Sequence, residues 1–256
     1  MKARHKRKSP QSYRVRTYRQ LAGAGHLVAS HVHIKETDLH IQADRDVQRR
    51  AEEIVLQCRL QLEQHIIGTP GFLNSLVPLP RDFTAPPLVQ QMYDASRRAG
   101  VGPMAAVAGG IAEYVGRTLM KEGVQEIILE NGGDIFIARR ASSRIAVFAG
   151  QSPLSGRVGI ELPAESVCGV CTSSATVGHS LSKGKADSVT VVASSTYLAD
   201  AAATRIGNEV AGGKSDKESV DTSLAVARTI EGLTGVVVIC GEVLGAVGDV
   251  KLVRLD

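Results

Sequence analysis

Aromatic side chains are scarce in this chain. Only 4% of its 256 residues are Phe, Tyr or Trp, and Trp is absent. The aliphatic residues Ala, Val, Ile and Leu must therefore form most of the hydrophobic core. Gly is abundant, with 26 copies, so we expect many tight turns and close backbone contacts.

Long apolar runs and a cysteine framework are also missing. No segment approaches the roughly 18 residues of a membrane span, and the moderately apolar stretch 21–30 is interrupted by Gly and His. Four Cys residues do not make a disulfide scaffold in a chain of this length. With 43% hydrophobic and 22% charged residues, the composition is that of a folded globular protein. Together these features predict a cytoplasmic protein without a membrane partner.

Positive charge is concentrated at the start of the chain. Residues 1–19 contain eight Lys or Arg and no acid, whereas the other 22 Lys and Arg are outnumbered by 26 Asp and Glu. We expect residues 1–19 to form a disordered basic tail. Such a tail can bind nucleic-acid phosphates. However, no aromatic platform or groove-reading motif accompanies it, so a nucleic-acid partner is not favoured.

The hydrophobic pattern predicts a mixed fold. Apolar residues alternate with period two on either side of Lys35–Thr37, then recur every three or four residues from Asp46 to Ile67. This indicates a β-hairpin followed by a long helix. Shorter helices are predicted at about 88–99, 103–123, 196–210 and 220–230, among hairpin-spaced strands. The order predicts an α+β fold with mainly antiparallel sheets in one domain, 20–256, and a division into two subdomains stays open within about 68–100.

Asp200 and Thr204 are candidate metal ligands. They lie one turn apart on the predicted helix 196–210, so both side chains leave the same face. A carboxylate and a hydroxyl suit a hard cation such as Mg²⁺, which completes its shell with water and phosphate. The alternative is an ordinary polar helix face, on which this spacing is common.

Two polar segments are candidate ligand-binding loops. Asn131, Gly132, Gly133 and Asp134 lie between two apolar stretches, and they either form a plain hairpin turn or let a ligand approach bare backbone. The second segment combines three hydroxyl side chains with a nearby imidazole, which can transfer a proton near neutral pH. Its residues are Thr172, Ser173, Ser174 and His179. The alternative for this second segment is a Ser/Thr-rich loop.

Cysteine and histidine pairs are weaker candidates. Cys168 and Cys171 have the C-x-x-C spacing that is typical of a redox-active pair or of two zinc ligands. The strand-like pattern around them favours buried thiols instead. His31 and His33, with His40 opposite, allow a metal clip, and a solvated strand face is the favoured interpretation.

Taken together, these segments resemble the ApbE-like flavin transferases, in an uncharacterised branch of that superfamily. The similarity is colinear from about Val101 to Val210. Its blocks are Leu119–Gly123, Glu130–Ile135, Gly169–Ser174, His179 and Ser188–Ala193, followed by Ala199-Asp200 and Thr204. The Ser-Val-Thr-Val strand leading to Ala-Asp-x-x-x-Thr is the most specific block.

The resemblance implies an ApbE-like, T-fold-type architecture and an enzyme that uses FAD to attach FMN to Thr or Ser of an acceptor protein. It implies Mg²⁺ on Asp200 and Thr204, and a catalytic role for His179 and Asp200. The glycine turn Asn131–Asp134 and the segment Thr172–Ser174, with His179, would bind the FAD cofactor.

The chain also departs from the family pattern. Where the transferases have Asp and Lys in their Asp-Leu-Gly-Gly-Ile-Ala-Lys-Gly motif, this chain has Gly102 and Ala108. Ser174 replaces a Gly, and the Asp-Pro expected after His179 is absent. The sequence therefore predicts a flavin-nucleotide site, leaves FMN transfer open, and keeps another phosphorylated ligand as the alternative.

Overall fold

The structure, a computed structural model, describes residues 26–174, 186–209 and 215–255. The expected basic tail 1–19 and the predicted site residue His179 lie outside these ranges. The tail, the domain boundaries and the cytoplasmic location therefore stay predictions. Within the described ranges, no helix combines the length and apolar character required to cross a membrane.

Eleven strands and five α-helices make up the described part of the fold. The strands are β1 Val28–Ile34, β2 Thr37–Ala43, β3 Ile127–Asn131, β4 Asp134–Arg139, β5 Ser143–Ala146, β6 Val158–Leu162, β7 Ser166–Ser173, β8 Ser188–Ala193, β9 Leu233–Cys240, β10 Val243–Gly248 and β11 Lys251–Arg254. The helices are α1 Gln48–Gly68, α2 Pro87–Ala99, α3 Val107–Lys121, α4 Thr196–Glu209 and α5 Asp216–Ala227, with a 3₁₀ turn at Pro103–Ala106 before α3.

The strands form two antiparallel sheets. The larger has the order β1-β2-β3-β4-β7-β8-β9-β10, and the smaller has the order β11-β6-β5. Helices cover one face of the larger sheet and the small sheet covers the other, because side chains alternate along each strand. In β4, for example, Phe136 packs among helix residues and Ile137 packs against residues of the small sheet. The predicted α+β class with mainly antiparallel sheets is confirmed.

Several predicted boundaries change. Pro103 begins a 3₁₀ turn rather than the α-helix itself. Helix α5 begins at Asp216, four residues before its predicted start at about 220, because the Ser215 hydroxyl accepts a hydrogen bond from the Glu218 amide at 3.2 Å. Strand β11 was not predicted, and it pairs with β6.

Gly116 fixes the separation between α3 and the large sheet. A Cβ built on Gly116 would lie 2.3 Å from the ring of the fully buried Phe136. We expect Gly116→Ala to lower the free energy of unfolding by about 1–3 kcal/mol, because the ring has no space to move. Urea unfolding measures this change.

Gly68→Ala is the matched control for Gly116→Ala. A Cβ at Gly68, the last residue of α1, meets nothing within 4 Å. Its free energy of unfolding should stay within about 1 kcal/mol of wild type. Equal changes for the two variants would contradict the close packing of α3 on Phe136.

Candidate functional site

The segment Asn131–Asp134 forms the two-residue turn between β3 and β4. Asn131 and Asp134 are partners across the hairpin, and Gly132 and Gly133 have φ values of 70° and 111°. Such positive φ angles at both central positions favour glycine. The Gly133 amide donates to Oε1 of Glu130 at 2.9 Å. The hairpin-turn alternative is therefore the local structure, and it places Asp134 at the end of the sheet.

Asp134 is a buried carboxylate on the helix-covered face of the sheet. It is 9% exposed and pairs in register with Cys171 of β7, whose thiol donates a hydrogen bond to it. Burial, and to a smaller extent the nearby Glu130 charge, raise the pKa of Asp134, and its net value is about 7. The Cys171 thiol and the Thr172 amide oppose this shift without cancelling it.

Asp200 brings a second carboxylate to the same place from α4. Its Oδ2 accepts a hydrogen bond from the Gly109 amide at 2.8 Å, and the Ala108 amide also donates to the carboxylate. These amides belong to the first turn of α3, where helical N–H groups have no partner within the helix. Burial, and next the charge of Asp134, raise the pKa of Asp200 well above its ordinary range. The two carboxylates therefore share one poorly solvated corner, which we call the acidic corner.

Other side chains connect the acidic corner to the fold. The Asn131 side-chain amide donates to the Ala108 carbonyl at 2.9 Å and so ties the glycine turn to the start of α3. Thr204 lies one turn beyond Asp200 on α4 and is half-buried. Its spacing keeps it on the Asp200 side of the helix.

The segment Thr172–Ser174 divides between two faces of the sheet. Strand β7 extends through Ser173, so the side chains of Thr172 and Ser173 point to opposite faces. Thr172 contacts Thr190 hydroxyl to hydroxyl at 3.0 Å. Ser173 shares the helix-covered face with Asp134, and its buried hydroxyl has no hydrogen-bond partner in the described ranges. Ser174 follows the strand and is half-buried.

Helices α3 and α4 cap each other. Glu113 of α3 is buried, and its Oε2 accepts hydrogen bonds from the Thr196 amide at 2.5 Å and the Ser195 hydroxyl at 3.1 Å. Asp200 of α4 accepts from the first turn of α3 in return. The backbones meet closely, because a Cβ on Gly109 would lie 2.6 Å from the Thr196 carbonyl oxygen. This reciprocal capping fixes the position of Asp200.

We expect Glu113→Ala to lower the free energy of unfolding by about 1–2 kcal/mol, the cost of a lost helix cap. Glu113→Gln keeps an acceptor oxygen and should cost less than Glu113→Ala. Urea unfolding of the three proteins tests this order. Wild-type stability in Glu113→Ala would show that the cap contributes nothing.

Three parts of the acidic corner were not predicted from the sequence as contributors to the site. They are Glu113, the Cys171 thiol and the Ala108 and Gly109 amides at the start of α3, which donate to Asp200. The only sequence signal for Glu113 was an acid within a predicted helix, four residues before Arg117, whose Nε donates to it at 2.6 Å. Nothing in the local sequence pairs Cys171 with Asp134, since that contact depends on the strand register.

The remaining cysteine and histidine predictions have simple outcomes. All four cysteines are free; Cys171 is buried, as expected for a structural thiol, whereas Cys168 is only half-buried. His31 contacts Asp38 at 2.6 Å on an exposed strand face. Across residues 26–174, 186–209 and 215–255, no group of three or more His, Cys, Asp or Glu side chains is arranged to hold a metal.

The acidic corner nevertheless fits Mg²⁺ in combination with a phosphate ligand. Mg²⁺ is usually bound through one or two carboxylates, with phosphate and water oxygens completing its shell, so three protein acids are not required. Two carboxylates converge here, and in the described part of the chain no Lys or Arg lowers the pKa of either one. Ser173 adds a hydroxyl on the same face, for which the described residues offer no hydrogen-bond partner.

Comparison with solved structures identifies the architecture. The flavinyl transferase ApbE of Pseudomonas stutzeri, in its apo form, aligns with a TM-score of 0.52 and 16% identity over 86% of this chain and 94% of that protein. The ApbE protein of Thermotoga maritima aligns with a TM-score of 0.52 and 14% identity over 86% and 96% of the two chains. At these identities the similarity establishes the fold, and the predicted ApbE-like architecture is confirmed.

Sequence comparison identifies the family. UPF0280 protein MJ1526 of Methanocaldococcus jannaschii is 42% identical over 228 residues, which cover 87% of this chain and 92% of that protein. A UPF0280 protein of Methanosarcina acetivorans is 38% identical over 231 residues, or 90% of each chain. The model of the family described as AbpE bacteria matches residues 19–243. The chain therefore belongs to the AbpE bacteria family and has the fold of the ApbE flavin transferases.

Proposed function

We propose that the acidic corner binds a flavin dinucleotide of the FAD type, with its phosphates held through Mg²⁺. The observation that carries this proposal is the pair of carboxylates, Asp134 from the sheet and Asp200 from α4, brought together without a cationic partner in the described ranges. Burying two like charges is unfavourable unless a cation neutralises them. A divalent cation shared with a pyrophosphate relieves this cost.

Each protein group has a distinct role in this proposal. Asp200 and Thr204 supply a carboxylate and a hydroxyl to the ion, and Asp134 adds a second negative charge. Mg²⁺ bound there would neutralise phosphate charge and act as a Lewis acid. Gly132 and Gly133 expose backbone without side chains, which allows a ligand to approach closely.

The start of α3 supplies a favourable electrostatic environment for phosphate. Helix N-termini carry partial positive charge and attract anions. Asp200 accepts from the Gly109 amide, so the Asp200 carboxylate is oriented by the helix while it faces Asp134. Asn131 holds the glycine turn against the Ala108 carbonyl. These contacts arrange the ligand-binding groups before a ligand arrives, which reduces the entropy lost on binding.

A second candidate, a different phosphorylated ligand, is favoured by the packing around Gly102. A Cβ at Gly102 would lie 1.7 Å from the Ser75 carbonyl oxygen, so the loop before α2 occupies the space of any side chain there. The family Asp at this position therefore cannot be accommodated without moving the loop. Flavin binding does not therefore require FMN transfer, and each property needs its own experiment.

Fluorescence titration of FAD with the full chain, in Mg²⁺ and in EDTA, tests flavin binding. We expect binding at least tenfold tighter with Mg²⁺, since the ion neutralises both carboxylates and phosphates. Parallel titrations with ADP distinguish recognition of the diphosphate from recognition of the flavin. Equal affinity for FAD in Mg²⁺ and EDTA would contradict the proposed site.

FMN transfer is tested by mass spectrometry of candidate acceptor proteins incubated with the chain, FAD and Mg²⁺. Attachment of FMN to a Thr or Ser would establish the transferase activity implied by the family resemblance. Mg²⁺-dependent binding without attachment would support the second candidate, in which the fold retains the phosphate site and has lost the transfer reaction.

A further inference from the structure

The β1–β2 hairpin has one polar face that is rich in histidine. His31 and His33 flank the buried Val32 along β1, so both point away from the helix-covered side of the sheet. On β2, His40 is the direct partner of His31, and Asp38 is the direct partner of His33. Directly opposite residues on antiparallel strands have Cβ atoms about 4.5–5.5 Å apart. We name His31, His33, Asp38 and His40 together the histidine face.

The next strand places a second carboxylate beside the histidine face. Glu130 of β3 is the direct partner of His40, and its Oε1 accepts the Gly133 amide at 2.9 Å. None of the positions that point to this side of β1, β2 and β3 is a Lys or Arg. These three strands therefore bring imidazoles and carboxylates together without a cationic side chain among them, which favours the approach of a divalent cation.

One contact of the histidine face already joins a nitrogen donor to an oxygen donor. His31 Nε2 lies 2.6 Å from Asp38 Oδ1, and the two atoms share a hydrogen bond. The side chains are 56% and 25% exposed, so an ion from solvent can reach both atoms. A metal ion bound by this pair takes the place of the proton between them, because metal ligands bind in their deprotonated forms.

The other two ligands reach the same point by side-chain rotation. As the side chains lie, no three acidic, histidine or cysteine groups of the described ranges surround one point. His33 is exposed and stands directly beside Asp38, and His40 stands directly beside His31. Exposed side chains change rotamer within nanoseconds. The backbone register therefore sets the spacing of the four ligands, and binding requires no change in the strands.

We infer that the histidine face binds a divalent transition-metal ion, for which Zn²⁺ is the probe, through His31, His33, Asp38 and His40. Imidazole nitrogen and carboxylate oxygen are zinc ligands, and four of them complete a tetrahedral shell. Strand β1 is the first strand of the larger sheet and pairs with β2. The ion would fasten this edge strand to its neighbour.

The metal site on the histidine face is independent of the proposed flavin site. It lies on the opposite side of the sheet from Asp134, which is on the helix-covered side together with Asp200. Its imidazole ligands select a transition metal, whereas the acidic corner offers the oxygen ligands that suit Mg²⁺. A failed FAD titration therefore leaves the inference about Zn²⁺ untouched.

Isothermal titration of Zn²⁺ into the metal-free full chain, in excess Mg²⁺, tests this inference. We expect one Zn²⁺ per chain, and His31→Ala and His33→Ala should each weaken binding by at least about tenfold, since each removes a ligand. His26→Ala is the matched control. His26 is also exposed and contacts Glu126 at 2.9 Å outside the histidine face, so this variant should bind Zn²⁺ like wild type.

Three results would overturn the inference. The first is a folded wild-type chain that takes up no stoichiometric Zn²⁺. The second is binding that persists unchanged in both His31→Ala and His33→Ala, which would place the ion elsewhere. The third is an equal loss in His26→Ala and His33→Ala, which would show that Zn²⁺ binds exposed histidines without a defined site. Circular dichroism of each variant establishes that it is folded.

Discussion

Asp200→Asn is expected to weaken Mg²⁺-dependent FAD binding at least 100-fold. The substitution removes the charge that the ion requires and keeps an oxygen that accepts the Gly109 amide hydrogen bond. Loss of a charged ligand group in a poorly solvated site costs about 3 kcal/mol, which corresponds to this factor. FAD titrations of the variant and wild type, each with and without Mg²⁺, measure the effect.

Asp200→Asn removes the charge of Asp200 and keeps its structural role as a helix cap. The asparagine preserves the cap on α3 and removes a carboxylate whose pKa is raised, so without Mg²⁺ the variant should fold and be at least as stable as wild type near neutral pH. Asp221→Asn, on the exposed side of α5, makes the same chemical change away from the acidic corner and should bind like wild type. If Asp200→Asn keeps its Mg²⁺-dependent affinity, Asp200 is only a helix cap.

Asp134→Asn is expected to stabilise the cation-free protein at alkaline pH. The pKa of Asp134 is raised from 3.8 to about 7 in the folded chain, so the native state retains a proton that the unfolded state has lost. The contribution of Asp134 to the free energy of unfolding therefore falls as pH rises from about 4 to about 7 and stays reduced above that range. The introduced amide does not titrate, and we expect the variant to be about 2–4 kcal/mol more stable than wild type at about pH 8.

Mg²⁺ should reverse the order of these stabilities. Wild type should gain stability from the ion at about pH 8 and little at about pH 5, where protons occupy the carboxylates. Asp134→Asn should gain much less at either pH. Urea unfolding in EDTA and in Mg²⁺ at the two pH values tests both expectations. A wild-type chain that loses no stability relative to Asp134→Asn between about pH 5 and about pH 8, or a variant stabilised by Mg²⁺ as much as wild type, would argue against the acidic corner.

The fold class followed from periodicity, but some elements lacked a readable pattern. Strand β11 is short and mostly exposed, so its alternation carries no burial signal, and only pairing with β6 defines it. In contrast, Ser215 and Glu218 form an S-x-x-E capping box that marks the start of α5. The glycine-rich composition of the preceding segment obscured that signal.

The acidic corner was only partly predictable. The spacing of Asp200 and Thr204 predicts that both leave one face of α4, and on the other side of the helix Leu198, Ala202 and Ile206 are buried. Alanines on the flanks of α4 are buried as well. Small apolar residues of this kind do not indicate in the sequence which side of a helix packs against another helix. The contact between Asp200 and the start of α3 therefore depends on tertiary packing.

The hydroxyl segment shows how one strand boundary changes a site. The sequence predicted a loop at Thr172–Ser174, in which both Thr172 and Ser173 could face a ligand. The observed strand continues to Ser173, and strict alternation sends the two side chains to opposite faces. Only Ser173 remains on the side of Asp134.

Crystals of the chain grown with FAD and Mn²⁺, an anomalously scattering substitute for Mg²⁺, locate the ion directly. We predict one strong anomalous peak within about 2.5 Å of an Asp200 oxygen and of a ligand phosphate oxygen. The distance from this peak to the Asp134 carboxylate should be somewhat longer, because a water molecule lies between the ion and Asp134. A crystal with FAD bound and no manganese peak beside Asp200, or with the peak among other residues, would contradict it.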